Sequence, residues 1–424
     1  MQTNISKIFK LPDLRNKILI TVILLVIFRL FANIPLPGVN IDELKDFFNN
    51  NQFFGMMNMF SGGAMKNFSL AMMGVGPYIT SSIIFQLLTM IVPSLENLSK
   101  EGDTGRQKIN QYTRIVTVPL ALVQSFAMIS LLKSQGIISG WHGLELFTML
   151  SALTAGTILL MWLGELISEK GIGNGISLII TIGIISSVPP MILQTIYGRD
   201  LSDISQVISL LIFGALAIIV TGLIVWFNYS ERQIPITYAR RVRGINSGGV
   251  DTYLPLRVTM AGVIPIIFAL SIMIFPGVIA KFFQEARSVS LANSAKWVEQ
   301  LFQNQTFYGI TYFVMVVLFT FFYTSVVFKP DQVSENLQKR SGFIPGLRPG
   351  KETSQYLEFV VSRITLLGAV FLGLIAVMPF IIPKITDISN MVLGGTGILI
   401  VVSVILDTIR QIKAQIIMRN YDHY

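Results

Sequence analysis

The chain has no cysteine and only two histidines, His142 and His423, in 424 residues. The first absence excludes disulfides and thiolate metal sites, and the second leaves nothing from which to build a clustered zinc site. Charge is scarce as well: 13% of residues are Asp, Glu, Lys or Arg against 52% hydrophobic, at a mean hydropathy of +0.65. A soluble chain of this composition would lack the polar surface to cover its core. Nucleotide motifs are also missing. A P-loop needs G-x-x-x-x-G-K-S/T, yet Gly350-Lys351 is followed by Glu352 and has no leading glycine. Gly171, Gly173 and Gly175, in GIGNGIS, follow an apolar span rather than a strand and lack the dinucleotide spacing, so they read as a tight inter-helix turn. No catalytic residue, metal ligand or cofactor is expected, and the chain reads as a non-enzyme.

What is abundant is apolar sequence in runs near the twenty residues that cross a hydrocarbon core. Ten such runs fall at about 18–34, 72–93, 109–132, 147–167, 172–196, 204–227, 258–279, 307–328, 359–382 and 391–409. The first contains Arg29, lacks a small-residue cleavage site and runs into Pro35 and Pro37, so it reads as a retained helix rather than a removed signal. Twenty-three of the 32 lysines and arginines flank one set of span ends and seven flank the other, which places both termini in the cytoplasm. Ten spans form two sets of five, 18–196 and 197–410, after a cytoplasmic segment 1–17 and before a tail 411–424. An odd number per set makes the halves inverted, an arrangement that places a working site between them near the midplane.

Between residues 59 and 90 the sequence is MFSGGAMKNFSLAMMGVGPYITSSIIFQLLTM, broken by Ser61, Gly62 and Gly63 and again by Gly74, Gly76 and Pro77. Broken helices at membrane depth are tolerated where protein buries them or water lines a cavity, so this segment points to a passage. Ionisable residues inside spans mark ion pathways, but Arg29, Glu165 and Asp407 lie toward span ends and read as snorkelling or interhelical bonds. An ion-coupled transporter would need a midplane carboxylate, and a hydrolase a paired nucleophile and base. Two long cytoplasmic loops, 228–257 and 329–358, hold much of the charge, and their glycine, proline and arginine spacing predicts ordered hairpins. Isoleucines four apart, such as Ile79 with Ile83 and Ile180 with Ile184, share a helix face; on pattern alone they are ordinary packing residues.

The motifs GGAMKNFSLAMMGVGPYITSSIIFQLL, KEGDTGRQKINQYTR, GIGNGISLII, LPLRVTMAGVIPIIF, SGFIPGLRPGKET and GGTGILIVV occur in this order. With them the chain resembles the SecY family, channel subunits of the bacterial Sec protein translocon, over essentially its whole length. The resemblance implies an all-α integral membrane fold of ten transmembrane helices in two inverted five-helix halves around an hourglass pore, with a lateral gate between the second and seventh spans. It implies a pore ring of Ile79, Ile83, Ile180, Ile184, Ile267 and Ile400. It implies a plug over 60–70, a re-entrant half-helix that includes Phe60, Ser61, Gly62, Gly63, Ala64, Met65, Lys66, Asn67 and Phe68. Gln86 and Gln124 match positions near the gate, where Thr259 stands in place of the asparagine of many relatives. Arg348, with Arg240, Arg241 and Arg243, matches a docking surface for the SecA ATPase and for the ribosome, including ribosomal RNA. The other implied partners are SecE and SecG, signal sequences, unfolded preproteins and membrane lipids, and the implied location is the bacterial plasma membrane.

Overall fold

A computed structural model of the chain describes residues 12–37, 39, 41–50, 58, 61–138, 143–197, 203–238, 252–283, 289–386 and 395–422. Apolar runs that cannot leave backbone groups unpaired in lipid adopt helices, and helices dominate. The first part of the chain forms α1 (Pro12–Ala32), α2 (Ile41–Asn50), α3 (Gly76–Ile91), α4 (Pro93–Lys100), α5 (Asp103–Ser134), α6 (Gly143–Lys170) and α7 (Gly175–Tyr197). The second forms α8 (Ile204–Tyr229), β1 (Glu231–Tyr238), β2 (Thr252–Arg257), α9 (Ile264–Phe283), α10 (Val289–Gln303) and α11 (Gln305–Val327), followed by α12 (Pro330–Lys339), β3 (Gly342–Phe343), α13 (Lys351–Thr386) and α14 (Gly395–Asp422).

A helix lies over each of the ten runs read from the sequence. Among the described residues, seven helices qualify by length and composition to cross a membrane, or eight if α3 and α4, bent by 100°, count as one span. The two further runs are covered by α1, which carries Asp13, Arg15, Lys17 and Arg29, and by the 20-residue apolar α9. Helices α1, α3, α5, α6 and α7 pack together, as do α8, α9, α11, α13 and α14. The sets meet along two principal seams, α7 against α14 and α9 against α3 and α5.

The loop 228–257 contains the expected hairpin: β1 and β2 pair antiparallel from Glu231↔Arg257 to Ile236↔Thr252. The loop 329–358 corrects the expectation. Pro330 starts a helix, for which its fixed φ is preset, and α12, the two-residue β3 and the first turns of α13 replace a hairpin. Strand β3 pairs with β1 at Thr237↔Phe343 and Tyr238↔Gly342, giving a three-stranded sheet in the order β2-β1-β3. Ile234, Leu256, Ile344, Leu357 and Val361 form one small core beneath it, so the two loops are a single structural unit.

Candidate pore, plug and docking site

Three of the six expected ring residues, Ile180, Ile184 and Ile400, lie buried in the central hydrophobic cluster, and Ile79 and Ile267 pack against it partly buried. Ile83 is buried outside that cluster. Four helices supply the expected ring residues in or against the cluster, α3, α7, α9 and α14. Aliphatic side chains offer no fixed hydrogen-bond partner, and a narrow passage lined by them excludes water by dewetting.

The plug segment differs from the expected half-helix. Residues 61–75 run as consecutive turns, with an isolated bridge at Ser69 to Pro35. Left-handed backbone at Gly62 (φ +73°), Gly63 (φ +82°), Phe68 (φ +42°) and Gly74 (φ +56°) prevents a regular helix. The segment is nevertheless well seated, because it faces two apolar environments. Ala64, Ala71 and Val75 belong to the central cluster with the ring isoleucines. Met65, Phe68 and Met72 pack instead with Leu44 and Phe48 of α2 and with Ile129 and Leu132 of α5. Polar contacts close its turns: Asn58 accepts from the Lys66 N–H through Oδ1 at 2.9 Å, and Ser61 Oγ donates to the Asn58 carbonyl at 2.9 Å. The Leu36 N–H donates to the Phe68 carbonyl at 2.8 Å.

Backbone approaches hold the segment against the bundle wall. A Cβ built on Gly156 of α6 would fall onto the Leu70 carbonyl, and one built on Gly62 would lie 2.8 Å from Gly183 Cα of α7. The turn 171–174 is equally tight, since a Cβ on Gly175 would meet the Gly164 carbonyl oxygen. There Ser168 Oγ accepts the Gly175 N–H at 2.8 Å, and Thr21 Oγ1 accepts the Ile172 N–H at 3.1 Å.

Among the described residues no hydrogen bond joins the expected gate residues Gln86, Gln124 and Thr259 to one another. Gln86 lies on α3 and Gln124 on α5, the two helices that face α9, and the Gln86 side-chain oxygen is buried with no hydrogen-bond partner among the described residues. Thr259 points elsewhere: its Oγ1 lies 3.4 Å from Asn228 Oδ1, at the end of α8. Asn228 in turn donates to Ser403 Oγ at 3.1 Å, and Arg410 donates to the Asn228 carbonyl at 2.6 Å. This network, absent from the sequence reading, ties α8, the start of α9 and α14. Of the charges read as snorkelling or interhelical, Glu165 accepts from Arg114 Nε at 2.6 Å, and Asp407 pairs with Arg410 at 3.3 Å and Arg257 at 3.7 Å. Arg29 does neither; its Nη1 donates to the Gly62 carbonyl at 2.7 Å.

On the sheet unit Arg348 is exposed while its backbone is fixed. Its N–H donates to Glu352 Oε2 at 3.3 Å, and its carbonyl accepts from Thr353 Oγ1 at 2.8 Å. Ser334 Oγ donates to the Gly350 carbonyl at 2.6 Å and Ser354 Oγ to Asp331 at 2.6 Å, which anchors the turn to α12. Phe60, Arg240, Arg241 and Arg243 lie outside the described residues.

An apolar multi-helix bundle in which two sets of helices and a folded-in turn segment share one central hydrophobic cluster is the architecture of a polytopic membrane protein. The profile of the SecY family matches residues 69–409. Protein translocase subunit SecY of Streptomyces coelicolor is 41% identical over 445 residues, spanning 100% of both chains. The subunit of Halalkalibacterium halodurans is 42% identical over 440 residues, 99% of each chain, and that of Thermus thermophilus 41% over 424 residues, 98% of this chain and 95% of its own. The chain belongs to the SecY family. Its fold resembles a solved protein conducting channel at a TM-score of 0.62 and 18% identity, covering 94% of this chain and 92% of the other. Sec61 in a canine ribosome-channel complex has a TM-score of 0.58 at 18% identity with the same coverage.

Proposed function

We propose that this chain is a protein-conducting channel that moves unfolded secretory polypeptides across the bacterial plasma membrane and releases hydrophobic segments sideways into the bilayer. The observation that carries the reading is the central cluster, in which the plug residue Ala64, with Ala71 just after the plug, shares one hydrophobic core with Ile180, Ile184 and Ile400. A translocating chain displaces the turn segment and passes an aliphatic collar that seals without gripping. The α9 seam with α3 and α5 is the lateral gate, and both termini face the cytoplasm. SecA or a translating ribosome docks on the sheet unit at Arg348 and the neighbouring Arg240, Arg241 and Arg243, where contact with ribosomal RNA is electrostatic and salt-sensitive. SecE and SecG complete the complex, and the chain itself catalyses no reaction.

The test is uptake of a signal-bearing unfolded protein into liposomes that contain the chain with SecE, supplied with SecA and ATP. Protease-protected, ATP-dependent product is expected. Absence of protection, with a folded complex and bound SecA, overturns the reading.

A further inference from the structure

We infer that Arg29 is the latch of the plug: its guanidinium, donated from α1 to the Gly62 carbonyl, positions the turn segment against α7 and keeps the channel closed. The inference rests on reading residues 61–70 as the plug. Arg29 Nη1 lies 2.7 Å from the Gly62 oxygen, a bond that spans 33 residues of sequence. Gly62 sits in left-handed backbone at φ +73°, and a Cβ there would approach Gly183 Cα to 2.8 Å and Arg29 Nη1 to 3.3 Å. Gly183 immediately precedes Ile184 on α7, so the latched residue lies against both the guanidinium and the helix that supplies Ile180 and Ile184. A charged side chain at a membrane span is expensive unless it has a partner or water. Here Arg29 is half-buried, and its guanidinium has a backbone carbonyl as partner. Once the plug leaves and water fills the funnel, solvent satisfies the guanidinium equally well. The latch is therefore strong when the channel is dry and weak when it is wet, which favours all-or-none opening. The neighbouring Asn33 amide donates to the Arg29 carbonyl at 2.8 Å and its Oδ1 accepts from Asn67 at 3.4 Å, a second and weaker tie between the end of α1 and the plug.

The test uses the complex with SecE in liposomes and reads two quantities: passive halide leak, and SecA-driven protection of a signal-bearing substrate. Arg29→Gln is expected to raise the leak about ten- to a hundredfold, the range of a lost charge-assisted bond, while retaining protection of the substrate. Arg29→Lys, which keeps a donor and the charge, is expected to restore most of the seal. A purely structural role would lower complex yield and transport together and would not be rescued in leak alone. Gly62→Ala leaves Arg29 in place but forces the peptide off Gly183, and the same leak is expected; it carries the test if Arg29→Gln does not assemble. A wild-type seal in either assembled variant overturns the latch. Failure of the wild-type complex to transport at all removes the channel reading, and the latch with it, whereas normal wild-type transport beside a sealed Arg29→Gln sinks the latch alone.

Discussion

Replacing Ile184 by asparagine tests how the constriction seals. Ile184 is 1% exposed within the central cluster. The amide would be buried there among aliphatic side chains, at a cost of about 1–3 kcal/mol for unsatisfied polar groups. The penalty falls on the dry closed state and is relieved when water enters. Closed and open populations should therefore shift by about five- to 150-fold toward the hydrated form, at 1.4 kcal/mol per decade. Ile184→Val, which removes one methylene for about 0.5–1.5 kcal/mol and adds no polar group, is the control. Halide efflux from liposomes holding the assembled complex should rise steeply for the asparagine variant and little for valine. The structure also predicts an order. Ile180 and Ile400, 3% and 1% exposed, should respond like Ile184, and the partly buried Ile79 and Ile267 should respond less. Efflux equal for asparagine and valine at position 184 refutes the dewetting argument, and equal efflux for Ile79→Asn and Ile184→Asn refutes the link to burial.

Arg348→Glu reverses an exposed charge whose backbone is fixed by Glu352 and Thr353, so motor-driven transport should be lost while the thermal midpoint of the purified complex stays unchanged; normal ATP-dependent uptake would remove Arg348 from the docking surface. Arg410→Ala deletes the 2.6 Å bond to the Asn228 carbonyl and should lower stability in denaturant titration by about 1.5–3 kcal/mol, the worth of a charge-assisted bond. Gly175→Ala drives a methyl onto the Gly164 carbonyl oxygen and should destabilise the α6–α7 pair by about 1–3 kcal/mol, seen as earlier unfolding of the detergent-solubilised complex.

The features that were legible in the sequence are those with local causes. A run of twenty apolar residues has one solution in lipid, so the helices lie where the runs are, and GIGNGIS forms the turn its glycines suggest. The ring was not legible from pattern, because Ile180 and Ile184 share a face four residues apart exactly as lipid-facing isoleucines do; only the resemblance singled them out, and only the packing of α7 against α14 gathers them with Ile400. The plug shows the opposite failure. Its glycines mark breaks at its two ends with a half-helix expected between them, whereas the left-handed Phe68 carries irregular backbone into the middle of the segment. Arg29 resembled a snorkelling charge because headgroups lie near a helix end, and its partner carbonyl is 33 residues away. Thr259 was placed at the gate by alignment to a motif, but a short hydroxyl reaches what lies beside it, here Asn228.

Side-chain polar bonds described above join helices of the same set. Arg114 with Glu165 joins α5 to α6, and Asn228, Ser403 and Arg410 join α8 to α14, each pair within one set of five helices. By contrast, α3, which meets α9 at one seam between the sets, carries a Gln86 oxygen that is buried with no hydrogen-bond partner among the described residues. A hydrophobic segment entering that seam replaces apolar contact with apolar contact, so the cost of opening is small beside what the segment gains. About ten Leu-like residues gain roughly 3–6 kcal/mol on moving into lipid, and each Asp, Lys or Arg at the bilayer centre costs about 2.5–3.5 kcal/mol. One or two charges therefore cancel the gain of an entire hydrophobic helix. A seam held by apolar contact can thus discriminate a membrane segment from a secreted one by partition alone, with no residue that reads either sequence.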